Sequence, residues 1–195
     1  HTIKLWNVVT HRQIRTFFGH ERPVCSVVFS PNGKKIASGS QDTTIRFWRV
    51  SDGTEIMKSR GHFRALSHLD FSPDGKLLAS SGEDKFIKLW DVESGREIRT
   101  LKGHRRHVRR VEFSPDGRWL ASASTDGTIK FWNIISGQNI ATLYGHAEGV
   151  KSLMFNPEGT LLVSGSGDKT IKLWSTNNRR EIRTLQGHAE EALDV

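Results

Sequence analysis

Short apolar stretches separated by polar turns run along the whole chain, and they predict strands. A unit opens with an apolar run such as VCSVVF (24–29), and a Ser-Pro-Asp-Gly type of turn leads to a second run such as KIASGS (35–40). The third run, such as TIKFW (128–132), alternates, with Ile and Trp expected on one side and Lys or Arg near solvent. EIRTL (97–101) is typical of the fourth. No segment has a convincing helical period, and Gly and Pro interrupt the chain at strand-length spacing.

The same unit recurs at a fixed step of 42 residues without insertion or deletion. The repeats that start at Gly61 and Gly103 are identical at 20 of 42 positions. Four short strands at a period of 40–45 residues predict the blades of a β-propeller. The residues locked to this period are the Gly-His pairs at 19–20, 61–62, 103–104, 145–146 and 187–188, the tryptophans Trp6, Trp48, Trp90, Trp132 and Trp174, and the aspartates Asp42, Asp84, Asp126 and Asp168.

These residues resemble the WD-repeat β-propeller family over nearly the whole chain. The shared signatures are the Gly-His opening, the Ser-Pro-Asp-Gly type of hairpin, the turn aspartate and the closing tryptophan. Only Trp90-Asp91 keeps the dipeptide that names the family. The resemblance implies an all-β fold, a β-propeller of four-stranded antiparallel blades.

The register divides the chain into complete and partial blades. Joining the two ends would give a first, a third and a fourth strand without a second, so we expect an incomplete arc of a larger propeller. The first residue is His1, which suggests a piece of a longer protein, and the missing blades then come from the parent chain or from another copy. The predicted segments are a partial blade over 1–18 with the third and fourth strands, WD repeats over 19–60, 61–102, 103–144 and 145–186, and the start of a further blade over 187–195.

In the resembled family a His, a Ser or Thr, an Asp and a Trp form a hydrogen-bonded chain inside each blade. We place the serine four residues before the aspartate, because that position is serine in all four repeats. The implied sets are His20, Ser38, Asp42 and Trp48; His62, Ser80, Asp84 and Trp90; His104, Ser122, Asp126 and Trp132; and His146, Ser164, Asp168 and Trp174.

A serine, a histidine and an aspartate also suggest a catalytic triad, but a structural role is the stronger interpretation. The set occurs once per blade, and no G-x-S-x-G motif exposes a serine nucleophile. No zinc-type ligand spacing, phosphate loop or dinucleotide motif is present. We therefore predict no catalytic, metal or cofactor site and a non-enzymatic protein.

Composition narrows the class without naming a partner. The chain has 195 residues, of which 35% are hydrophobic and 26% charged, as in an ordinary globular protein. No apolar run approaches the roughly 20 residues of a membrane helix, so no membrane partner is predicted. The single cysteine, Cys25, favours a reducing compartment, and we predict a cytoplasmic location. Most of the net charge of +8 comes from repeated positions around the disc and does not form one stripe.

Three kinds of position vary from repeat to repeat: the loop that opens each blade, the start of the first strand, and the residue before the turn aspartate. The resemblance implies that these positions line a partner-binding top face. GHRRHVRR (103–110) makes one of these loops a basic sector, which Lys151 is expected to adjoin. It suits an acidic or phosphorylated peptide, and a solvated charged loop is the plainer alternative. Candidate partner-binding residues are Pro23, Cys25, Gln41, Ala65, Ser67, Glu83, Arg105, Arg106, His107, Arg109, Thr125, Gly149, Lys151 and Gly167.

The sequence thus predicts a scaffold for protein–protein interaction through the top face. Two alternatives stay open at this point. The chain could be the docking or sensor module of a larger signalling protein, or it could bind phosphate or nucleic acid through residues 105–110. Nucleic acid is the less favoured partner, because five of the six tryptophans hold the repeat position and are expected to be buried.

Overall fold

The computed structural model describes residues 1–194 and shows antiparallel strands in five separate sheets. Two strands, β1 (Ile3–Trp6) and β2 (Gln13–Phe17), form the N-terminal sheet. Each of the other four sheets has four strands, and we call these sheets blades 1 to 4 in chain order. The prediction of an all-β chain of four-stranded antiparallel blades in an incomplete arc is confirmed.

Within each blade, consecutive strands pair with their neighbours in chain order. Blade 1 consists of β3 (Val24–Phe29), β4 (Lys35–Ser40), β5 (Thr44–Arg49) and β6 (Glu55–Arg60); blade 2 of β7 (Leu66–Phe71), β8 (Leu77–Gly82), β9 (Ile87–Asp91) and β10 (Glu97–Leu101); blade 3 of β11 (Val108–Phe113), β12 (Trp119–Ser124), β13 (Ile129–Asn133) and β14 (Asn139–Leu143); and blade 4 of β15 (Val150–Phe155), β16 (Leu161–Ser166), β17 (Ile171–Ser175) and β18 (Glu181–Leu185). The first strands of neighbouring blades contact one another, so they form the inner side of the arc.

The hairpin between the first and second strands is closed by its own side chains. In blade 2, Oγ of Ser72 accepts the backbone N–H of Leu77 over 2.9 Å and donates to Asp74 over 2.6 Å. Gly75 donates its N–H to the carbonyl of Ser72 and has a φ of 70°, a left-handed conformation that glycine adopts at little cost. Serine, aspartate and glycine at these spacings therefore fix the turn locally.

The prediction for the third strand is wrong in two respects. Residues three apart on a strand point to opposite faces, so Ile45 packs against blade 2 while Trp48 packs against the N-terminal sheet. The cation between them is also not near solvent. Arg46 is only 7% exposed, and burial is tolerated because its guanidinium pairs with the carboxylate of Glu55 on the fourth strand.

Apolar faces stay uncovered at the two ends of the arc. Phe29 of β3 is 52% exposed, whereas Phe113, at the equivalent position of β11, is 4% exposed and packs against blade 2. The N-terminal sheet has no inner strands that could cover Phe29 in the same way. At the other end, Leu185 of β18 is 43% exposed, while its equivalent Leu143 is 4% exposed. Blade-to-blade contact therefore builds the core.

The segment after blade 4 contains no strand within residues 187–194, but it contacts the arc. The backbone N–H of Ala192 donates to the carbonyl of Ser166 over 3.0 Å, and Glu191 pairs with Lys151 over 3.1 Å. Ala192 is buried as a result.

Candidate functional site

Each blade contains four hydrogen-bonded side chains that we call the relay. In blade 1, Nδ1 of His20 lies 2.8 Å from Oδ2 of Asp42, and Nε2 of the same ring lies 2.8 Å from Oγ of Ser38. The indole N–H of Trp48 donates to that hydroxyl oxygen over 2.8 Å. The structure brings the other predicted sets together by the same contacts at 2.7–2.9 Å: His62, Ser80, Asp84 and Trp90; His104, Ser122, Asp126 and Trp132; and His146, Ser164, Asp168 and Trp174.

The hydrogen bonds of the relay determine the direction of each proton. The ionised carboxylate of Asp42 can only accept, so it holds a proton on Nδ1 of His20, and Nε2 of the neutral ring accepts the hydroxyl proton of Ser38. The indole N–H of Trp48 can only donate, and the oxygen of Ser38 accepts it. Burial lowers the pKa of His20, and the bond to Asp42 offsets this only in part. Burial also opposes the charge on Asp42, but hydrogen bonds from Thr44, His20 and the backbone of Glu21 outweigh it and hold the pKa of Asp42 well below its ordinary value.

Sequence reasoning missed a further member of the relay, a threonine two residues after the aspartate. Thr44 Oγ1 donates to Oδ1 of Asp42 over 2.6 Å, and blades 3 and 4 repeat the contact. Blade 2 has Phe86 at this position, and its ring meets the ring of Phe63 edge-on at 5.8 Å. The histidine and aspartate side chains of that blade are both 0% exposed. The signal in the sequence was the recurrence of threonine in three repeats.

The relay is arranged as a structural element. All four serines are 0% exposed, and each hydroxyl is already shared between an imidazole and an indole. A serine nucleophile needs an oxygen that a substrate can reach. Within residues 1–194, no three His, Cys, Asp or Glu side chains form a group that could hold a metal ion.

Residues from all four blades converge on a groove of about 390 Å³, which we call the central groove. Its polar lining varies around the arc, and two leucines that sequence reasoning did not select also line it: Leu66, which is buried, and Leu193, which is 65% exposed and adds apolar surface. The sequence did contain a signal for Leu193, which lies 42 residues after Lys151 and so holds the same repeat position as Cys25, Ser67 and Arg109. The predicted residues that the structure brings together here are Cys25, Gln41, Ala65, Ser67, Glu83, His107, Arg109 and Lys151.

Charges of both signs line the central groove. Glu83 of blade 2, Arg109 of blade 3 and Lys151 of blade 4 line it, and Lys151 is paired with Glu191. Burial lowers the pKa of His107, and the nearby guanidinium of Arg109 lowers it further. Nε2 of this histidine is hydrogen-bonded to the hydroxyl of Ser67 on the neighbouring blade. His107 thus links blades 2 and 3 and lines the central groove.

Arg105 and Arg106 of the predicted basic sector line a second groove, of about 880 Å³, between blades 3 and 4. We call it the blade 3–4 groove. Arg109 lies at an irregularity in the pairing of β11 and lines the central groove, whereas Arg110 pairs with Asp194 over 2.7 Å. Residues 105–110 therefore do not form one continuous sector. The residues that line this groove include Gly103, Arg105, Arg106, Thr125, Asp126, Lys130, Tyr144, Glu148 and Gly149.

Two of the predicted partner-binding residues line neither groove. The backbone carbonyl of Pro23 accepts the N–H of Gln41 and the hydroxyl of Ser40, so this residue shapes the loop of blade 1. Gly167 is buried beside the carboxylates of Glu148 and Glu191.

Two partly buried carboxylates on the inner strands were not selected from the sequence. Asp70 accepts the backbone N–H of Phe113 over 2.7 Å, and Glu112 accepts that of Phe155 over 3.2 Å, so each bridges to the next blade. Burial raises the pKa of Asp70 to about 6 and, with the help of the charge on Asp70, that of Glu112 to about 7. Arg110 partly offsets both shifts.

We expect Glu112→Gln to stabilise the fold at pH 8 and to have little effect at pH 5. The pKa of Glu112 is raised in the folded state from 4.5 to about 7, so its contribution is full below pH 4.5 and is lost as the pH rises through 7. The amide keeps the bond to Phe155 without a buried charge. The gain at pH 8 is about 1–2 kcal/mol, allowing for solvent screening, and urea unfolding at both pH values measures it. An equal change at both would contradict this interpretation.

The repeats that carry these grooves match a known family model, described as WD domain, G-beta repeat. The matched residues are 11–49, 53–91, 95–133 and 137–175, which together cover most of the chain. The chain belongs to the WD40 repeat family. In the blades of this WD40 chain, the relay and the hairpins form the repeated framework, and the residues that line the grooves vary.

Short alignments relate the chain to proteins named guanine nucleotide-binding protein subunit beta. It is 41% identical to the protein of Oryza sativa subsp. indica and 43% identical to that of Zea mays, in each case over 44 residues. These residues are 22% of this chain and 12% of each relative, so the alignments span a small part of the relatives' length. In the part of the chain that the structure describes, no helix has the length and apolar character of a membrane span.

Proposed function

We propose that this WD40 chain is a non-enzymatic scaffold and that its central groove binds another protein. One observation carries the proposal: the relays hold four equivalent loops in the same geometry, while the side chains that these loops present differ in charge and size. The groove offers Leu193, which is 65% exposed, beside Glu83 and Arg109. An apolar contact among charges of both signs suits a protein surface or an extended peptide.

Docking within a larger signalling assembly is the more specific form of this proposal. The support is the similarity to proteins named as guanine nucleotide-binding protein beta subunits. The proposal places the chain in the cytoplasm, on the ground of its single cysteine. It also assigns the exposed faces at Phe29 and Leu185 to further blades, contributed by the same polypeptide or by another copy.

Nucleic-acid binding has weaker support. A groove for a single strand combines clustered cations with exposed aromatic side chains on which bases stack. The four relay tryptophans are at most 2% exposed, whereas the expectation of burial is wrong for Trp6 of the N-terminal sheet, which is 52% exposed. The arginines of residues 105–110 are divided among different surroundings.

The central groove is tested by a charge swap, Glu83→Arg with Arg109→Glu, which leaves the net charge unchanged. We expect proteins that the original chain captures at moderate salt to be retained at least about tenfold less by the swap variant, because both charges of the groove are reversed. Capture followed by quantitative mass spectrometry measures the loss.

The matched control is a second swap, Arg118→Glu with Glu158→Arg. These residues line a separate cavity of about 260 Å³ beside the hairpins of blades 3 and 4. This control is expected to capture the same proteins as the original chain. Equal capture by both swap variants would contradict a role for the central groove, and retention that nuclease treatment abolishes would favour nucleic acid.

A further inference from the structure

A cation on the third strand is paired with a glutamate on the fourth strand in three of the four blades. Lys88 donates to Glu97 over 2.8 Å in blade 2, and Lys172 donates to Glu181 over 2.9 Å in blade 4. Arg46 of blade 1 pairs with Glu55 in the same way. The three cations are 7–8% exposed, so the glutamates compensate buried charges.

Blade 3 keeps the cation, Lys130, but has Asn139 where the other blades have the glutamate. The carboxamide of Asn139 is directed to its own strand and to β13, where it donates to the carbonyls of Ala141 and Phe131 over 2.9 and 3.1 Å. Lys130 donates to the hydroxyl of Thr142 over 2.8 Å, and no carboxylate of residues 1–194 forms an ion pair with it. Its ammonium therefore lacks the counter-charge that its equivalents have.

The space that the missing carboxylate would fill is open to the blade 3–4 groove. In the other blades, an oxygen of the glutamate lies about 3 Å from where a Cβ on the glycine of the Gly-His pair would stand. At the equivalent Gly103, only ring atoms of Trp132 come within 4 Å of that point. Gly103 and Lys130 both line the groove, and Lys130 is only partly buried. A ligand in the groove can thus reach the ammonium.

Further cations surround this position, and the nearby carboxylates are engaged elsewhere. Arg105 and Arg106 are exposed on the wall of the groove. Burial lowers the pKa of Lys130, and the positive charge of Arg105 lowers it further, although Asp126 acts in the opposite direction. Asp126 accepts bonds from its relay histidine and from Thr128.

Besides Asp126, Glu148 lines this groove, and its carboxylate points away from Lys130. Glu148 directs its carboxylate towards Gly167 of blade 4, as judged by the oxygen that lies 2.8 Å from the Cβ position of that glycine. The groove is therefore positive near Lys130, Arg105 and Arg106, and the anion position, the place beside Gly103 that a glutamate takes in the other blades, is occupied by no carboxylate of residues 1–194.

We propose that the blade 3–4 groove binds a phosphorylated side chain of a partner protein, with a phosphate oxygen in the place of the glutamate carboxylate of the other blades. Three cationic groups, Lys130, Arg105 and Arg106, suit a dianion better than a single carboxylate. The exposed ring of Tyr144 offers an apolar contact to the adjoining residues of the peptide. The partner is the one that the proposed function requires, and in this respect the inference rests on that function.

The test uses small probes that need no partner protein. N-acetyl-phosphoserine amide is titrated into ¹⁵N-labelled protein, and shifts of the Gly103 and Arg105 amides and of the Lys130 ammonium are followed by NMR. We expect saturable shifts at these groups, and acetate and dimethyl phosphate are expected to bind at least about tenfold more weakly because each carries one charge at most. No saturable shift with the original chain would overturn the site.

The decisive variant is Asn139→Glu, which restores the ion pair of the other blades. It is expected to fold as stably as the original chain and to bind the phosphoserine probe at least about tenfold more weakly, because its own carboxylate fills the position. Glu97→Asn is the matched control, since it removes the equivalent carboxylate from blade 2, where neither Glu97 nor the neighbouring Gly61 lines the blade 3–4 groove. It is expected to retain the shifts at Gly103.

Each other outcome identifies a different error. Undiminished binding by Asn139→Glu would overturn the assignment of the anion position, and equal affinity for dimethyl phosphate would point to a nucleic-acid backbone. Equal affinity for acetate would replace the phosphorylated side chain by an acidic one. If these shifts appear but the Glu83–Arg109 charge swap leaves capture unchanged, the central-groove proposal fails while the anion site stands.

Discussion

Ser80→Ala is expected to destabilise the protein by about 2–4 kcal/mol, because one hydroxyl serves two buried partners. Its oxygen accepts the indole N–H of Trp90 over 2.7 Å, and its proton is directed to Nε2 of His62 over 2.7 Å. Alanine leaves both groups unpaired inside blade 2, where each costs about 1–3 kcal/mol. Chemical denaturation followed by tryptophan fluorescence measures the loss.

The adjacent residue on β8 supplies the control. Ser81 is also 0% exposed, but its hydroxyl has no hydrogen-bond partner among the residues that the structure describes. Ser81→Ala removes an unsatisfied polar atom and is expected to change the stability by less than about 0.5 kcal/mol, or to increase it. Equal destabilisation by the two substitutions would show that the relay adds nothing beyond the packing of the strand.

Phe113→Ala is expected to cost about 3–5 kcal/mol, the usual range for a buried aromatic side chain. Phe113 is 4% exposed and belongs to a core cluster that joins residues of blades 2 and 3. The substitution therefore weakens contact between blades, and the hydrogen bonds inside each sheet remain. Unfolding in guanidinium chloride measures the effect.

The equivalent residue of blade 1 tests whether this cost comes from the neighbouring blade. Phe29→Ala removes the same ring from the same strand position, but Phe29 is 52% exposed. We expect a cost of about 1 kcal/mol, in proportion to the smaller apolar area that is buried. Similar costs at both positions would mean that Phe29 is covered in solution, and the exposed end of the arc would then be wrong.

The sequence predicted the framework well because the framework is strictly periodic. The relay residues keep a step of 42 positions, and their hydrogen-bonding groups match one another as donors and acceptors. The third strand was misread because a period of two places Ile45 and Trp48 on opposite faces. Arg46 could be buried between them because a glutamate on the next strand compensates its charge.

The grooves were less predictable, because neighbouring residues on a strand diverge and loops from different repeats meet. The basic stretch looked continuous in the sequence, yet Arg109 lines the central groove while Arg105 lines the blade 3–4 groove. The asparagine at 139 was visible as a departure from glutamate at 55, 97 and 181. The structure was needed to interpret this departure. Thr142 pairs with Lys130 across the sheet and accepts a hydrogen bond from its ammonium, and the hydroxyl of Thr142 donates to Asn139.

The most direct test of the repeated relay is the tautomer of its four histidines, measured by long-range ¹H–¹⁵N NMR on ¹⁵N-histidine-labelled protein at pH 7. The structure predicts that all four relay histidines carry a proton on Nδ1, which is donated to the aspartate and exchanges slowly with water. In His20, His104 and His146, where burial lowers the pKa, Nε2 is expected to be unprotonated. A relay histidine that carries its proton on Nε2 alone would contradict the account, as would a doubly protonated ring of His20, His104 or His146 at this pH.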